Sequence, residues 1–294
     1  MACPLGSAHH APAAKIRCPL ADLDLETEYD NRRRVPEHAA IQERWAKASA
    51  ALRAEAKCEL DKPYGQGERQ KYDLFHPKSG EAGPLAVFIH GGYWQRGDRK
   101  ASSFVARELI AQGISVAVPS YSLCPAVQVM EIVAELRQCM KTLYEATKRR
   151  PVVVGHSAGG HLAAAMLATD WSKLGGVPAD LVKAGYALSG VFDLAPLIAT
   201  SINGATKLDA AKAREASPLA WPAPPRDRTF VAAAGGDESQ EFIRQSLEIA
   251  AAWSRAGVKA ECVLVPSTNH FTIVEELVRP DSAMLARIVA TAKA

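Results

Sequence analysis

Hydrophobic and polar positions follow two alternating patterns from about residue 85 onward. Short, nearly continuous apolar runs predict buried strands at residues 85–90, 114–119, 152–154, 186–189, 229–234 and 261–266. Between them, apolar residues recur at spacings of three and four and predict helices at about residues 101–112, 127–148, 246–256 and 282–292. This alternation predicts an α/β fold with a mostly parallel central sheet flanked by helices.

The first part of the chain has a different pattern. Residues 1–25 predict a flexible tail, because the segment is rich in Ala, Pro and His and has no periodicity, and residues 26–294 predict a single domain. Apolar residues at helical spacing between 36 and 60 predict an N-terminal helical extension. Such a helix either caps a site or pads the sheet, and padding is the commoner outcome. Residues 71–75 alternate like an antiparallel entry strand.

Residues 193–228 form the one long interruption between predicted core strands. The segment is rich in proline and contains a short helical piece near residues 208–216. Long excursions above strand ends usually form lids or pocket walls in sheets of this kind, so a cap-like role is predicted. A surface loop without substrate contact is the alternative. Trp221 in this segment is a candidate for substrate binding.

Candidate chemistry begins with a Gly-x-Ser-x-Gly pentapeptide around Ser157. Three β-branched residues precede it and an alanine-rich segment follows, which matches a nucleophile on a sharp strand-to-helix turn. Gly155 and Gly159 remove side chains that would clash in such a turn. The motif alone is weak, but the predicted strand and helix around it favour a catalytic serine over an ordinary glycine turn.

A nucleophilic serine needs hydrogen-bond donors that hold the oxyanion. His90-Gly91-Gly92 follows the strand at residues 85–90, where glycines let backbone N–H groups turn toward a substrate. Gly91 or Gly92, together with Ala158 after the nucleophile, are therefore the predicted donors. Tyr93 and Trp94 come next and are candidates for substrate binding. A hairpin turn with an aromatic pair packed on the core is the alternative.

The serine also needs a base and an acid, expected in the chain order Ser, Asp or Glu, His. Asp237 and His270 both follow predicted strands, at the sheet edge where α/β folds place their chemistry. His270 is predicted to take the Ser157 proton, and Asp237 to orient the imidazole. Two other acids stay open: Glu238 is adjacent to Asp237, and Asp193 follows an earlier strand.

Composition narrows the remaining functions. A hydrophobic fraction of 48%, a charged fraction of 23% and a net charge of +3 are ordinary for a soluble globular chain and argue against a nucleic-acid surface. The six cysteines have no metal-ligand spacing, and neither a secretory leader nor a membrane span is visible. A cytoplasmic protein without metal or cofactor is predicted. Nothing in the sequence decides between a monomer and a homodimer.

Together these motifs resemble the kynurenine formamidase (arylformamidase) branch of the α/β-hydrolases. The resemblance rests on His90-Gly91-Gly92-Tyr93-Trp94, the segment around Ser157, residues 189–194, Asp237 and Asn269-His270-Phe271, and it extends to Tyr29-Asp30-Asn31. It implies Ser157 as nucleophile, Asp237 as acid and His270 as base. It also implies metal-free hydrolysis of an N-formyl aryl amine to formate and the amine.

The resemblance leaves other functions open. A carboxylesterase for short acyl or aryl esters would use the same residues, and a non-catalytic binding protein on the same scaffold is a further alternative. A metal hydrolase is a weaker one. The pocket motifs contain no obvious cation for a substrate carboxylate. Arg96 and Arg99 lie near the oxyanion motif in sequence, and whether they face the pocket or point outward stays open.

Overall fold

A computed structural model describes residues 23–79 and 83–294. The predicted tail at residues 1–25 therefore lies almost entirely outside the described residues. The eight strands form one sheet in the order β1-β2-β4-β3-β5-β6-β7-β8. They are β1 (Cys58–Pro63), β2 (Lys71–Phe75), β3 (Leu85–Ile89), β4 (Ser115–Pro119), β5 (Pro151–His156), β6 (Ala184–Leu188), β7 (Thr229–Gly235) and β8 (Lys259–Val265).

Strands β3 to β8 run parallel, whereas β1 and β2 pair antiparallel at one end of the sheet. The predicted antiparallel entry strand is β2, which pairs with β4 in the register Tyr72 to Pro119. Strand β1 was not predicted. Its residues are mostly exposed and polar, so it lacks the apolar run that marks a buried strand.

Helices cover both faces of the sheet, as the alternation predicts. They are α1 (Leu25–Tyr29), α2 (Asn31–Arg34), α3 (His38–Glu55), α4 (Arg99–Ser102), α5 (Ala106–Ala111), α6 (Val129–Thr147), α7 (Ala158–Leu167), α8 (Asn203–Thr206), α9 (Ala210–Glu215), α10 (Gln240–Arg255) and α11 (Ala283–Lys293). Short 3₁₀ turns occur at Ser103–Val105, Trp171–Leu174, Ala195–Ala199, Pro218–Ala220 and Thr272–Leu277. No helix in the described ranges combines the length and apolarity needed to cross a bilayer.

Two apolar layers hold the sheet between the helices. On one face α6, α7 and α10 pack through residues such as Leu136, Leu162 and Ile249. On the other face α3, α5 and α11 pack through Leu52, Leu109 and Leu285. Burial of a side chain of this size stabilises the fold by about 1.5–3 kcal/mol. The rigid sheet places the carboxyl ends of β3, β5, β7 and β8 at one edge.

Candidate active site

Ser157 occupies the turn between β5 and α7. Its backbone has φ 56° and ψ −120°, a conformation that L-residues rarely adopt and that is typical of a nucleophile on a sharp turn. A Cβ at Gly155 would lie 1.9 Å from the carbonyl oxygen of Gly159, and one at Gly159 would lie 2.0 Å from that of Ile89. The two glycines therefore remove clashes in this turn, as the motif predicts.

His270 lies past the carboxyl end of β8, and its side chain lines the same cavity as Ser157. The ring packs against Phe242 and His156, with centroid distances of 4.6 Å and 4.8 Å. Its Nδ1 lies 2.9 Å from Oε2 of Glu238, to which it donates a hydrogen bond. With Nδ1 held in this way, Nε2 is on the opposite side of the ring and is available for proton transfer.

The acid that contacts His270 is Glu238, so the choice of Asp237 is wrong. Asp237 is exposed, whereas the Glu238 side chain is fully buried. Besides His270, Glu238 accepts hydrogen bonds from the Ser189 hydroxyl at 2.5 Å and the Gly235 N–H at 2.6 Å. The other alternative, Asp193, caps a local turn by accepting from the Ala195 N–H at 3.0 Å.

The backbone turn that follows β7 accounts for the contact of Glu238, and not Asp237, with His270. The N–H of Asp237 donates to the carbonyl of Thr268 at 3.0 Å, which fixes this residue beside the histidine loop, with its side chain exposed. The next residue is the one directed inward, and the extra methylene of Glu238 helps its carboxylate to reach the imidazole. The predicted chain order of nucleophile, acid and base is retained with the acid one residue later.

The predicted oxyanion donors all lie beside the serine. A Cβ at Gly91 would be 2.9 Å from Cβ of Ser157, so the glycine loop is packed directly on the turn. Gly92 has φ +115° and also lines the cavity. Ala158 is the first residue of α7, where the backbone N–H has no partner inside the helix. These positions fit the predicted hole, and the role itself stays a prediction.

Of the predicted substrate-binding residues, only Tyr93 lines the cavity. Trp94 is fully buried and packs edge-on against His161 at 5.0 Å between ring centroids. Trp221 instead donates from Nε1 to the carbonyl of Glu215 at 2.7 Å, away from the cavity lining. Trp94 is therefore wrong as a substrate-binding residue, and Trp221 lies outside the lining of this cavity. Tyr93 and Trp94 occupy consecutive positive-φ positions, and the turn directs their side chains to different places.

The cavity has a volume of about 480 Å³, and the N-terminal helices form much of its wall. The lining includes Tyr29, Asp30, Asn31, Arg32, Gln42 and Trp45 from α1 to α3 and the connections between them. The Tyr93 hydroxyl donates to the carbonyl of Tyr29 at 2.7 Å and accepts from Asn31 Nδ2 at 3.2 Å. The helical extension thus caps the site and does not merely pad the sheet.

The excursion at residues 193–228 contributes Ser201 and Ile202 to the same wall. Ser201 donates to Glu26 through its backbone N–H at 2.7 Å and its hydroxyl at 2.5 Å, which ties the excursion to the N-terminal helices. The prediction of a pocket wall agrees with these contacts. The segment Tyr29-Asp30-Asn31, which is part of the resemblance to the family, is the sequence feature that could have indicated the N-terminal wall.

Two arginines add positive charge to the cavity. Arg32 and Arg96 both line it, and burial together with the neighbouring charge of Arg32 lowers the pKa of the Arg96 guanidinium. Arg99 is directed elsewhere: it is buried and its Nε donates to Asp73 at 3.2 Å. The expectation that the pocket lacks a cation is therefore wrong for Arg96, and Arg32 was missed because it lies far from the glycine motifs in sequence.

The sequence is similar to one family model and to several proteins of known family. The BD-FAE family model matches residues 72–216. The kynurenine formamidase of Salmo salar is 33% identical over 230 residues, covering 76% of this chain and 78% of that protein. The kynurenine formamidase of Danio rerio is 32% identical over 226 residues, covering 74% of this chain and 76% of that protein.

A solved structure is similar over nearly its whole length. A candidate thioesterase from Silicibacter sp. TM1040 superposes with a TM-score of 0.82 at 33% identity, covering 90% of this chain and 99% of that one. The fold and the family follow from three findings. They are the parallel sheet, the serine on a positive-φ turn and the extent of similarity to the two fish proteins. The chain is an α/β-hydrolase and belongs to the kynurenine formamidase family.

Proposed function

We propose that this protein is a serine hydrolase that removes the formyl group from N-formyl aryl amines, with Ser157, His270 and Glu238 as its catalytic triad. One observation carries the proposal. The side chains of Ser157 and His270 line one cavity, and a buried Glu238 carboxylate holds the imidazole through Nδ1 at 2.9 Å. An imidazole held in this way can take the proton of a nearby serine hydroxyl and so make that hydroxyl nucleophilic at neutral pH.

The reaction then proceeds in two halves. The Ser157 oxygen attacks the formyl carbon while His270 Nε2 takes the hydroxyl proton, and the oxyanion is held by N–H groups of Ala158 and of Gly91 or Gly92. The imidazolium gives its proton to the amide nitrogen as the C–N bond breaks and the amine leaves. A water molecule, deprotonated by His270, cleaves the formyl ester and releases formate.

The substrate class is supported by the names of the relatives and by the walls of the cavity. The similar fish proteins are kynurenine formamidases, which makes N-formylkynurenine the first compound to test. The Gly91 loop packs close to Ser157, which favours a small acyl group. The rest of the cavity is much larger than a formyl group and presents aromatic rings of Trp45, Phe104 and Phe271 to an aryl amine.

The test measures kcat/KM for N-formylkynurenine, formanilide and phenyl esters of increasing acyl length, with Ser157→Ala as the inactive control. We expect turnover of the two formamides and loss of at least about 10⁴-fold in Ser157→Ala. A fluorophosphonate probe should label the wild-type protein at Ser157. Rapid ester turnover with untouched formamides would contradict the proposal, as would absence of labelling in the folded protein.

Hydrolysis of short acyl or aryl esters is the second candidate. The same triad and oxyanion donors serve esters, and a cavity of about 480 Å³ has room for acyl groups larger than formyl. The acyl-length series separates the two candidates, because a formamidase should lose activity sharply beyond formyl. A carboxylesterase should retain or gain activity from acetyl to butyryl.

We also propose that the protein acts in the cytoplasm and keeps its cysteine thiols reduced. In the described ranges Cys58, Cys124, Cys139 and Cys262 are all free. Burial raises the pKa of the Cys139 thiol above its usual range, which makes it a poor nucleophile. Alkylation of protein denatured without reductant, followed by peptide mass mapping, should find these four cysteines modified, and a disulfide-linked pair among them would contradict the proposal.

A further inference from the structure

His156 lies at the end of β5, directly before the nucleophile, and the triad leaves it without a role. It is 7% exposed and lines the cavity with Ser157 and His270. Its Nε2 lies 2.7 Å from the carbonyl oxygen of His270. A carbonyl oxygen only accepts, so Nε2 carries the proton and donates this hydrogen bond.

The other ring nitrogen is consequently an acceptor. Burial and the neighbouring His270 ring lower the pKa of His156 well below its usual range, so the imidazole is neutral. A neutral imidazole with its proton on Nε2 has a lone pair on Nδ1. In the part of the chain that the structure describes, no donor forms a hydrogen bond with this Nδ1. The atom is also not one of the fully buried polar atoms that lack a partner, so it keeps some exposure.

Nδ1 also lies close to the glycine loop that packs on the serine turn. The position that a Cβ would take on Gly91 is 3.2 Å from His156 Nδ1 and 2.9 Å from Ser157 Cβ. Nδ1 is therefore close to Gly91 in the predicted oxyanion loop, on the side of that residue that packs on Ser157. An acceptor does not stabilise an oxyanion, so its partner must be a donor carried by the substrate.

A formamide has such a donor and an ester does not. When the serine oxygen adds to the carbonyl carbon, the amide nitrogen becomes pyramidal, and its lone pair must turn toward the imidazolium that protonates it. The remaining N–H then points to the cavity wall and loses its partner in water. An acceptor at the wall compensates for that loss only for a leaving group that has an N–H.

We propose that Nδ1 of His156 accepts a hydrogen bond from the leaving-group N–H of the substrate during C–N bond cleavage, and so favours secondary formamides over esters. The inference rests on the proposed formamidase function and adds a residue that selects the substrate class. No proton moves to His156; it passes from His270 to the nitrogen as described above. Nε2 meanwhile keeps its separate contact with the His270 carbonyl.

Two substitutions separate the two nitrogens of His156. His156→Gln retains an amide N–H at about the position of Nε2 but has no acceptor at the position of Nδ1. His156→Asn retains an acceptor oxygen near Nδ1 but is too short to replace Nε2. The first variant removes the proposed contact, and the second is the matched control that keeps it.

The experiment measures kcat/KM of the wild type and both variants on formanilide, N-methylformanilide and phenyl formate. These compounds share the acyl and aryl groups, and only formanilide has an N–H. In His156→Gln we expect the preference for formanilide over each of the others to fall about tenfold, the factor that 1.4 kcal/mol represents. In His156→Asn the preference should be retained, although all three rates can fall together if His270 shifts.

Equal losses on the three substrates in His156→Gln would overturn the proposal and leave His156 a positioning residue. If the variants do not fold, the wild type still decides. The ratio of kcat/KM for formanilide to that for N-methylformanilide should be about tenfold larger than the ratio of their rates of hydrolysis by hydroxide. Equal ratios would overturn the proposal. Failure of the proposed function has a different result: wild-type enzyme that turns over phenyl formate but no formamide.

Discussion

Glu238 Oε2 accepts a 2.9 Å hydrogen bond from His270 Nδ1, while the adjacent Asp237 is exposed. The carboxylate also accepts from the Ser189 hydroxyl and the Gly235 N–H, so its position is fixed from two further directions. A carboxylate held in this way keeps the proton of the imidazole on Nδ1 and stabilises the imidazolium that forms during reaction. Substitution of each of the two adjacent acids therefore tests which one supports the imidazole.

Glu238→Gln should lower kcat on a formamide by about 10³-fold or more, because an amide at this position can donate to Nδ1 and favours the wrong imidazole tautomer. Asp237→Asn should change kcat by less than about twofold, since an exposed side chain off the imidazole has little effect on it. Steady-state kinetics on both variants provide the comparison. A larger loss in Asp237→Asn than in Glu238→Gln would reverse the assignment.

The parts of the site that depend on neighbours in the chain were predictable from the sequence. The turn at Ser157 was predictable because two flanking glycines, a preceding apolar strand and a following helix all point to one backbone geometry. The identity of the acid was not predictable in the same way. Asp237 and Glu238 occupy successive positions in a turn, and contacts with residues distant in the chain, such as that of the Asp237 N–H with the Thr268 carbonyl, accompany the placement of Glu238 at His270.

The walls of the cavity depend even more on distant contacts. Tyr29 reaches the site through a hydrogen bond between its carbonyl and the Tyr93 hydroxyl, and no periodicity within α1 carries that information. Trp94 was misplaced for a related reason, because its adjacency to Tyr93 suggested a shared surface. Strand β1 was missed because its exposed, polar residues resemble a loop.

Gly91→Ala should lower kcat about 10²-fold or more while the protein remains folded. A Cβ there would lie 2.8 Å from the His156 carbonyl oxygen and 2.9 Å from Ser157 Cβ, so the loop that carries the predicted oxyanion donors must move. Gly204→Ala is the control, because a Cβ at that position meets nothing within 4 Å. Wild-type kcat in Gly91→Ala would show that the loop adapts or that its donors are not needed.

Arg96→Gln should raise KM for formylated aryl amines that carry a carboxylate, by about tenfold for N-formylanthranilate. Arg32 and Arg96 both line the cavity, and each disfavours the charge of the other there. A substrate carboxylate bound near them would offset that repulsion and accept charge-assisted hydrogen bonds. The neutral formanilide lacks the anion and should keep its KM. Equal changes for the two substrates would mean that Arg96 shapes the wall without reading substrate charge.

Acidification should destabilise the fold before the carboxylates titrate, because histidines are buried as neutral rings. Burial lowers the pKa of His90 and of His161 to about 4. The unfolded chain binds protons at these residues below about pH 6.5, whereas the folded chain does not, so the free energy of unfolding falls as pH drops from about 6.5 toward 4. Each such group should cost about 2 kcal/mol between pH 7 and pH 5.

Urea unfolding of the wild type and His161→Gln at these two pH values tests this expectation. The Nε2–H of His161 donates to the Ala216 carbonyl at 2.6 Å, and a glutamine amide can supply the same donor without titrating. The variant should therefore lose about 2 kcal/mol less than the wild type on going from pH 7 to pH 5, whatever its stability at pH 7. Equal losses in the two proteins would mean that His161 takes up its proton in the folded state, which its burial against Ala216 and Trp94 argues against.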